Sequence, residues 1–199
     1  MSSHAVIGTV ASLEICAFAV VAKVPTYRVA PAFLLPLLWL PYLLRRRLHL
    51  HAVHYALFAF ALILHGLGAF GFYQRGLFGW SFDVFVHFYF AFAVAFVVER
   101  FLRHALPAPR WATFALTVLC LMGFGALHEI MEYGSFLLLG EERGMLKPKT
   151  SYPFDTQRDL LNNLLGTLTA LAVVLASSRL PRRGKATHTS PASDAEFTR

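Results

Sequence analysis

Hydrophobic positions in this chain follow neither the alternation of a half-buried strand nor the narrow stripe of a surface helix. They form long runs broken by short polar stretches. Six runs can be marked: Ala5 to Ala22, Val29 to Leu44, Ala52 to Tyr73, Leu77 to Val98, Trp111 to about Gly134, and Leu160 to about Leu180. Each approaches the roughly 20 residues that a helix needs to cross a hydrocarbon core of about 30 Å. Backbone amides in lipid must find partners within their own segment, so the pattern predicts an all-α, polytopic membrane bundle of about six helices. The second run is short and carries Pro31, Pro36 and Pro41. Each proline removes a helical hydrogen bond, so this run is expected to be kinked, with a re-entrant course as the alternative to a full crossing. From Ser177 the chain turns polar and basic, which predicts a membrane domain over residues 1–176 and a short disordered cytoplasmic tail over 177–199.

Composition rules out the soluble alternatives. Of 199 residues, 57% are hydrophobic and only 15% charged, where an ordinary soluble domain has about a quarter charged. Net charge is +7, but the excess sits in clusters beside apolar runs, and no polar face could track a nucleic acid, so no such partner is expected. With six crossings, the segments after runs two, four and six share one side. They hold Arg45, Arg46, Arg47, Arg100, Arg103, Arg110, Arg179, Arg182, Arg183, Lys185 and Arg199. The other side holds fewer cations: Lys23, Arg28, Arg75, Arg143, Lys147, Lys149 and Arg158. The positive-inside rule then places both termini in the cytoplasm of a bacterial inner membrane. Met1 to His4 lacks a basic residue and Glu14 interrupts the first run, so that run is expected to be a retained span and not a cleaved signal. Trp80 and Trp111 fit interfacial anchors. Cys16 and Cys120 read as small packed hydrophobes. Gly66 to Gly71 spells GxGxxG without a preceding strand, and is read as helix packing and not as a dinucleotide site.

Charged groups within spans are costly unless paired or hydrated, so they mark function or structure worth explaining. Asp83 and His87 lie one turn apart on run four. His128, Glu129 and Glu132 lie near the outer end of run five, and Asp155, Asp159 and Asn163 share i, i+4, i+8 spacing at the start of run six, beside Asn162. Neutralisation can come from protons, basic partners or a divalent cation. Carboxylates mixed with imidazoles suit Zn, Mn or Fe, and the expected ligand set is Asp83, His87, Glu129, Glu132 and Asp159. The alternative is an ion-pair network of Asp83 with His87, Glu132 with His128, and Asp159 with Arg158 or Arg143. Residues 128–132 read HEIME, with a glutamate where the HExxH zinc signature has its second histidine. Glu14 and His65 lie deeper and can pair with one another, extend a proton path, or stand as separately satisfied groups. The stretch from Gly140 to Arg158 is long enough for a lid, and its cations could hold a phosphate, or it is an ordinary solvated loop. His49, His51 and His54 adjoin Arg45 to Arg47, where repulsion disfavours a metal, so they are read as an interfacial patch.

These motifs resemble the YjdF-type family of bacterial inner-membrane proteins, whose biochemical function is unassigned. The pieces that carry the resemblance are Asp83-Val-Phe-Val-His87-Phe88, Ala126-Leu-His-Glu129-Ile-Met-Glu132-Tyr133, and Asp155-Thr156-Gln157-Arg-Asp159 running on to Asn163 and Gly166. The Asp-Thr-Gln-x-Asp element is the most specific of them. A more distant likeness is to VanZ-type proteins, at Asp83/His87/Phe88, Glu129/Glu132 and Asp159/Asn163/Gly166, and it implies the cell envelope. The chain departs from that pattern at Ala170, where a further Gly is usual, and at Glu132, where Gln is frequent.

The function expected from these residues is metal-dependent hydrolysis of a lipid or lipid-linked envelope substrate at an outward-facing site. Glu129, Glu132, Asp155 and Arg158 are the candidate catalytic groups, and Arg143, Arg158 and Asn163 the candidate substrate contacts. The alternatives are a small proton- or ion-coupled transporter and a noncatalytic accessory protein of the membrane.

Overall fold

The computed structural model describes residues 2–139 and 154–179. Ser3–Val20 forms α1, a 3-10 turn covers Pro25–Val29, and Ala30–Leu43 forms α2. Helix α3 covers Ala52–Gly66 and continues as a 3-10 turn over Leu67–Phe70, and α4 is the single turn Phe72–Arg75. Three long helices follow: α5 (Phe82–Ala105), α6 (Arg110–Leu139) and α7 (Asp155–Arg179). The only extended pairing among the described residues is an isolated bridge between Leu77 and Trp80. Among the described residues five helices, α1, extended α3, α5, α6 and α7, are long and apolar enough to cross a membrane. Large apolar side chains such as Val10, Phe33, Leu119 and Ile130 point outward, each more than half exposed, which suits lipid contact and not water. The molecule is an all-α membrane bundle.

Contacts between helix ends fix the path of the chain. At one end His4 Nε2 lies 3.0 Å from the Leu50 carbonyl, just before α3. At the other, the amides of Lys23 and Val24 donate to the Ala69 carbonyl at 2.9 and 3.1 Å. Helices α1 and α3 are therefore parallel, and α2 must return the chain between them. Along its way the Trp39 indole donates to Ser12 Oγ at 3.0 Å, and the Tyr55 hydroxyl donates to the Leu38 carbonyl at 3.1 Å. Helix α2 and the 3-10 turn before it together rise about 31 Å at the standard increments, so the proline-rich run passes from one end of the bundle to the other. Pro31 sits in its first turn, where no amide is needed, while Pro36 and Pro41 lie inside the helix.

The Arg100 guanidinium bonds the His49 carbonyl, so α5 runs antiparallel to α3. Arg110 at the start of α6 donates to Ser178 Oγ at 2.7 Å and to the Val174 carbonyl at 3.1 Å, so α6 is antiparallel to α7. The start of α1 and the end of α7 thus lie at the same end of the bundle.

Helix boundaries depart from the apolar runs where backbone geometry intervenes. Gly76, Phe78 and Gly79 all take positive φ, so Leu77 to Ser81 form a tight turn and α5 begins only at Phe82. Helix α7 starts upstream of its apolar run, at Asp155, whose carboxylate in the first turn complements the helix dipole. It also continues through Ser177–Arg179, the first residues assigned to the tail; the two serines satisfy themselves on Val174 and Leu175 carbonyls. Residues 180–199 lie outside the described residues.

The closest helix pair is α5 with α7. Its seam carries small residues, Ala91, Ala95, Gly166, Thr167 and Ala170, all buried. A Cβ on Gly166 would collide with the Phe88 carbonyl oxygen and come within 3.0 Å of the Phe92 nitrogen. Lipid gives helices no hydrophobic reason to associate, so close backbone approach of this kind supplies the packing energy. Gly68 in the other half makes room for a side chain instead, since a Cβ there would collide with the Tyr27 ring.

Candidate functional site

Because α5 and α7 are parallel and in close register, their first turns stand side by side and their acids meet. His87 Nε2 lies 3.6 Å from Asp83 Oδ1 on its own helix and 3.8 Å from Asp159 Oδ2 on α7. One ligand atom from each of the three falls within 4.8 Å of the others. The setting is dry: Asp159 is 1% exposed and His87 8%. The Asn163 side chain, one turn beyond Asp159, hydrogen-bonds His87.

Arg158 lies across the mouth of this group. Its terminal nitrogen is 2.5 Å from Asp155 Oδ1 and 3.7 Å from Asp83 Oδ2, and its Nε is 3.8 Å from Asp159 Oδ1. From α6, the His128 ring comes within 5.6 Å of the His87 ring, centroid to centroid, while His128 Nε2 pairs with Glu132 Oε1 at 3.3 Å. Glu129 is buried, with Thr156 as a hydrogen-bonding neighbour. Its Oε1 and the Oδ1 of Asp159 have no hydrogen-bond partner among the described residues.

Of the expected ligand set, the structure gathers Asp83, His87 and Asp159 into one group. Glu132 stands next to it through His128, and Glu129 faces the Asp155–Thr156 turn. The three contacts offered by the sequence, Asp83–His87, Glu132–His128 and Asp159–Arg158, are all formed, the two histidine contacts being ion pairs when the ring is protonated. Asp155 and Arg158 are paired with each other. Arg143 and most of the stretch read as a lid lie outside the described residues.

Three polar side chains extend the cluster toward α3. His65 Nδ1 is 2.8 Å from the Tyr73 hydroxyl, and the Tyr27 ring lies 6.0 Å from the His65 ring. Burial, then the Asp83 and Glu132 carboxylates, raises the pKa of Tyr27. Burial also holds Tyr73 well above the usual phenol range, reinforced by Tyr27 and the acids. Both therefore stay phenols able to donate. Sequence reasoning passed over these tyrosines, because neither belongs to a local motif. His65 was singled out, but its partner is Tyr73; Glu14 is exposed on α1. Glu99 was missed as well: its side chain is 2% exposed and pairs at 3.3 Å with Arg103 Nε, one turn on, at the far end of α5. An i, i+4 Glu-Arg spacing was the available signal.

A bundle of apolar helices with a buried acidic–imidazole cluster where three of them meet defines a multi-pass membrane protein. The chain belongs to the family described as "Predicted membrane protein (DUF2238)", whose model matches residues 4–179. That match agrees with the YjdF-type resemblance and extends it over the first two helices. No curated protein and no solved structure matches the chain.

Proposed function

We propose that Asp83, His87 and Asp159 hold a divalent cation, Zn, Mn or Fe, and that the protein uses it on a lipid or lipid-linked substrate at the outer face of a bacterial inner membrane. The observation that carries this reading is the convergence of two carboxylates and one imidazole from two helices within 4.8 Å, in a buried setting. Mixed oxygen and nitrogen donors suit these metals, and three protein ligands leave coordination positions open for water and substrate. Charge supports it too. Asp83, Asp155 and Asp159 share one guanidinium, Arg158, among the described residues.

A cation here would polarise a phosphoryl or ester oxygen and activate water. Glu129, with Oε1 uncommitted among the described residues, or Glu132 would take the proton. Arg158, or Arg143 from outside the described residues, would offset developing charge, and Asn163 would orient His87 or the substrate. The VanZ-like pattern supports an envelope substrate, and the distribution of basic residues supports the cytoplasmic placement of the opposite end.

Elemental mass spectrometry of detergent-purified protein tests the proposal. Near-stoichiometric metal is expected in the wild type, lost in Asp83→Asn and Asp159→Asn and retained in Glu129→Gln. A folded wild type that takes up no Mn, Fe or Zn from added salts would falsify it. The second reading, a proton or ion pathway, is favoured by one observation, the buried His65–Tyr73 pair beside the cluster. Under that reading, vesicles holding the protein dissipate a cation or pH gradient only while Asp83 and Glu129 are intact.

A further inference from the structure

At the opposite end of the bundle, the turn between α2 and α3 is drawn against the last turn of α5. His49 takes φ +49, a left-handed conformation seldom adopted outside glycine, and its carbonyl accepts from Arg100 Nε. The His49 ring stacks on the His104 ring with centroids 4.3 Å apart. His104 Nδ1 in turn lies 2.7 Å from the Arg100 carbonyl, so that nitrogen carries the proton and donates, leaving Nε2 to face elsewhere. A second imidazole pair, His51 with His54, stacks at 5.5 Å just inside. The terminal nitrogens of Arg100 make no hydrogen bond among the described residues.

Charge at this junction is one-sided. Among the described residues, Arg45, Arg46, Arg47, Arg100 and Arg103 are met by a single carboxylate, Glu99, which is engaged by Arg103. His51, at the entrance to α3, is held below the usual imidazole range by burial and then by Arg100, Arg103, His104 and His4. The guanidinium groups gathered at this junction repel one another, and a bound anion offsets the repulsion. Two guanidinium nitrogens without a hydrogen bond among the described residues, beside imidazoles that donate to an anion once protonated, fit the several oxygens of a phosphate. The span-terminal positions of His51 and Arg100 set the junction at headgroup depth.

We infer that the junction of His49, His51, Arg100 and His104 is a binding site for a phosphate group, of the kind an anionic lipid presents at the membrane surface. This assignment is independent of the metal reading, because it concerns the other end of the molecule. Anionic headgroups at the cytoplasmic surface attract basic clusters generally; this site differs in being built, with its donors fixed by Arg100 and the stacked rings.

The full-length protein in nanodiscs of phosphatidylcholine, with or without phosphatidylglycerol, provides the test, read as Tm. A parallel arm adds inorganic phosphate to the protein in uncharged detergent. Phosphatidylglycerol should raise Tm by several degrees in the wild type and in Arg46→Gln/Arg47→Gln, and by less than half as much in His51→Gln/His104→Gln. A shift from inorganic phosphate of equal size, lost in the same histidine variant, would make free phosphate the occupant and still support the site. Equal loss in the two double variants, or no shift in the wild type, overturns it. Should His51→Gln/His104→Gln melt early in phosphatidylcholine alone, Arg100→Lys, which keeps the charge and removes the two-nitrogen fork, serves in its place.

Discussion

Asp159 is drawn toward His87 by one oxygen and toward Arg158 by the other. A carboxyl group removed from water in this way needs a compensating partner, either these neighbours or a bound cation. If the cluster holds a cation, Asp159→Asn and His87→Gln should each weaken metal retention at least tenfold, a change of about 1.4 kcal/mol. Arg158→Gln should act in the opposite direction, because it removes a positive charge within 4 Å of both Asp83 and Asp159. Metal titration with a chelator series reads both effects. Tyr73→Phe isolates a different term. It takes the phenol from His65 and leaves a buried ring nitrogen without that partner, at a cost of about 1–3 kcal/mol, which should appear as a lower Tm in detergent with little change in metal content.

The α5–α7 pair shows how an element-level contact creates the site. Parallel packing in register requires the two backbones to approach at Gly166, where no Cβ fits. Gly166→Val should force the helices apart. Overpacking of this sort costs typically about 1–3 kcal/mol, and here it should also separate Asp83 and His87 from Asp159. The expected result is reduced stability together with lost metal binding, whereas valine at the exposed, open Gly123 of α6 should leave both nearly unchanged. Thermal unfolding and metal content measured on the same samples distinguish the two.

Over the whole molecule, the path of α2 decides which loops share a side. With α2 crossing, positions 23 and 78 lie at the end that carries the acidic cluster and position 46 at the basic end. Single cysteines placed there, in a background with Cys16 and Cys120 replaced, should react with an impermeant maleimide from opposite faces of intact cells. Labelling of 23 and 78 but not 46 would fix the acidic cluster outside; the reverse would invert the topology and remove the outward-facing substrate reading. Similar labelling of 23 and 46 would show that α2 does not cross.

Much of the fold was legible along the chain, because a helix in lipid must be apolar for its whole length and six such runs stand out. The spacing of Asp83 with His87, and of Asp155, Asp159 and Asn163, also placed these groups on common helix faces, since the 3.6-residue period is a local property. Sequence alone thus determined the membrane class, the helix count and the short-range pairs. Tertiary structure decided the rest. Only the parallel register of α5 and α7 brings Asp159 to His87, and only the return of α2 sets Tyr27 beside Gly68 and His65. Local spacing cannot report a meeting of residues about seventy positions apart, because that depends on where small side chains let two backbones touch. The helix ends near Phe82 and Asp155 were likewise misjudged from hydropathy, which records lipid contact and not the glycine turns and helix-end charges that start a helix.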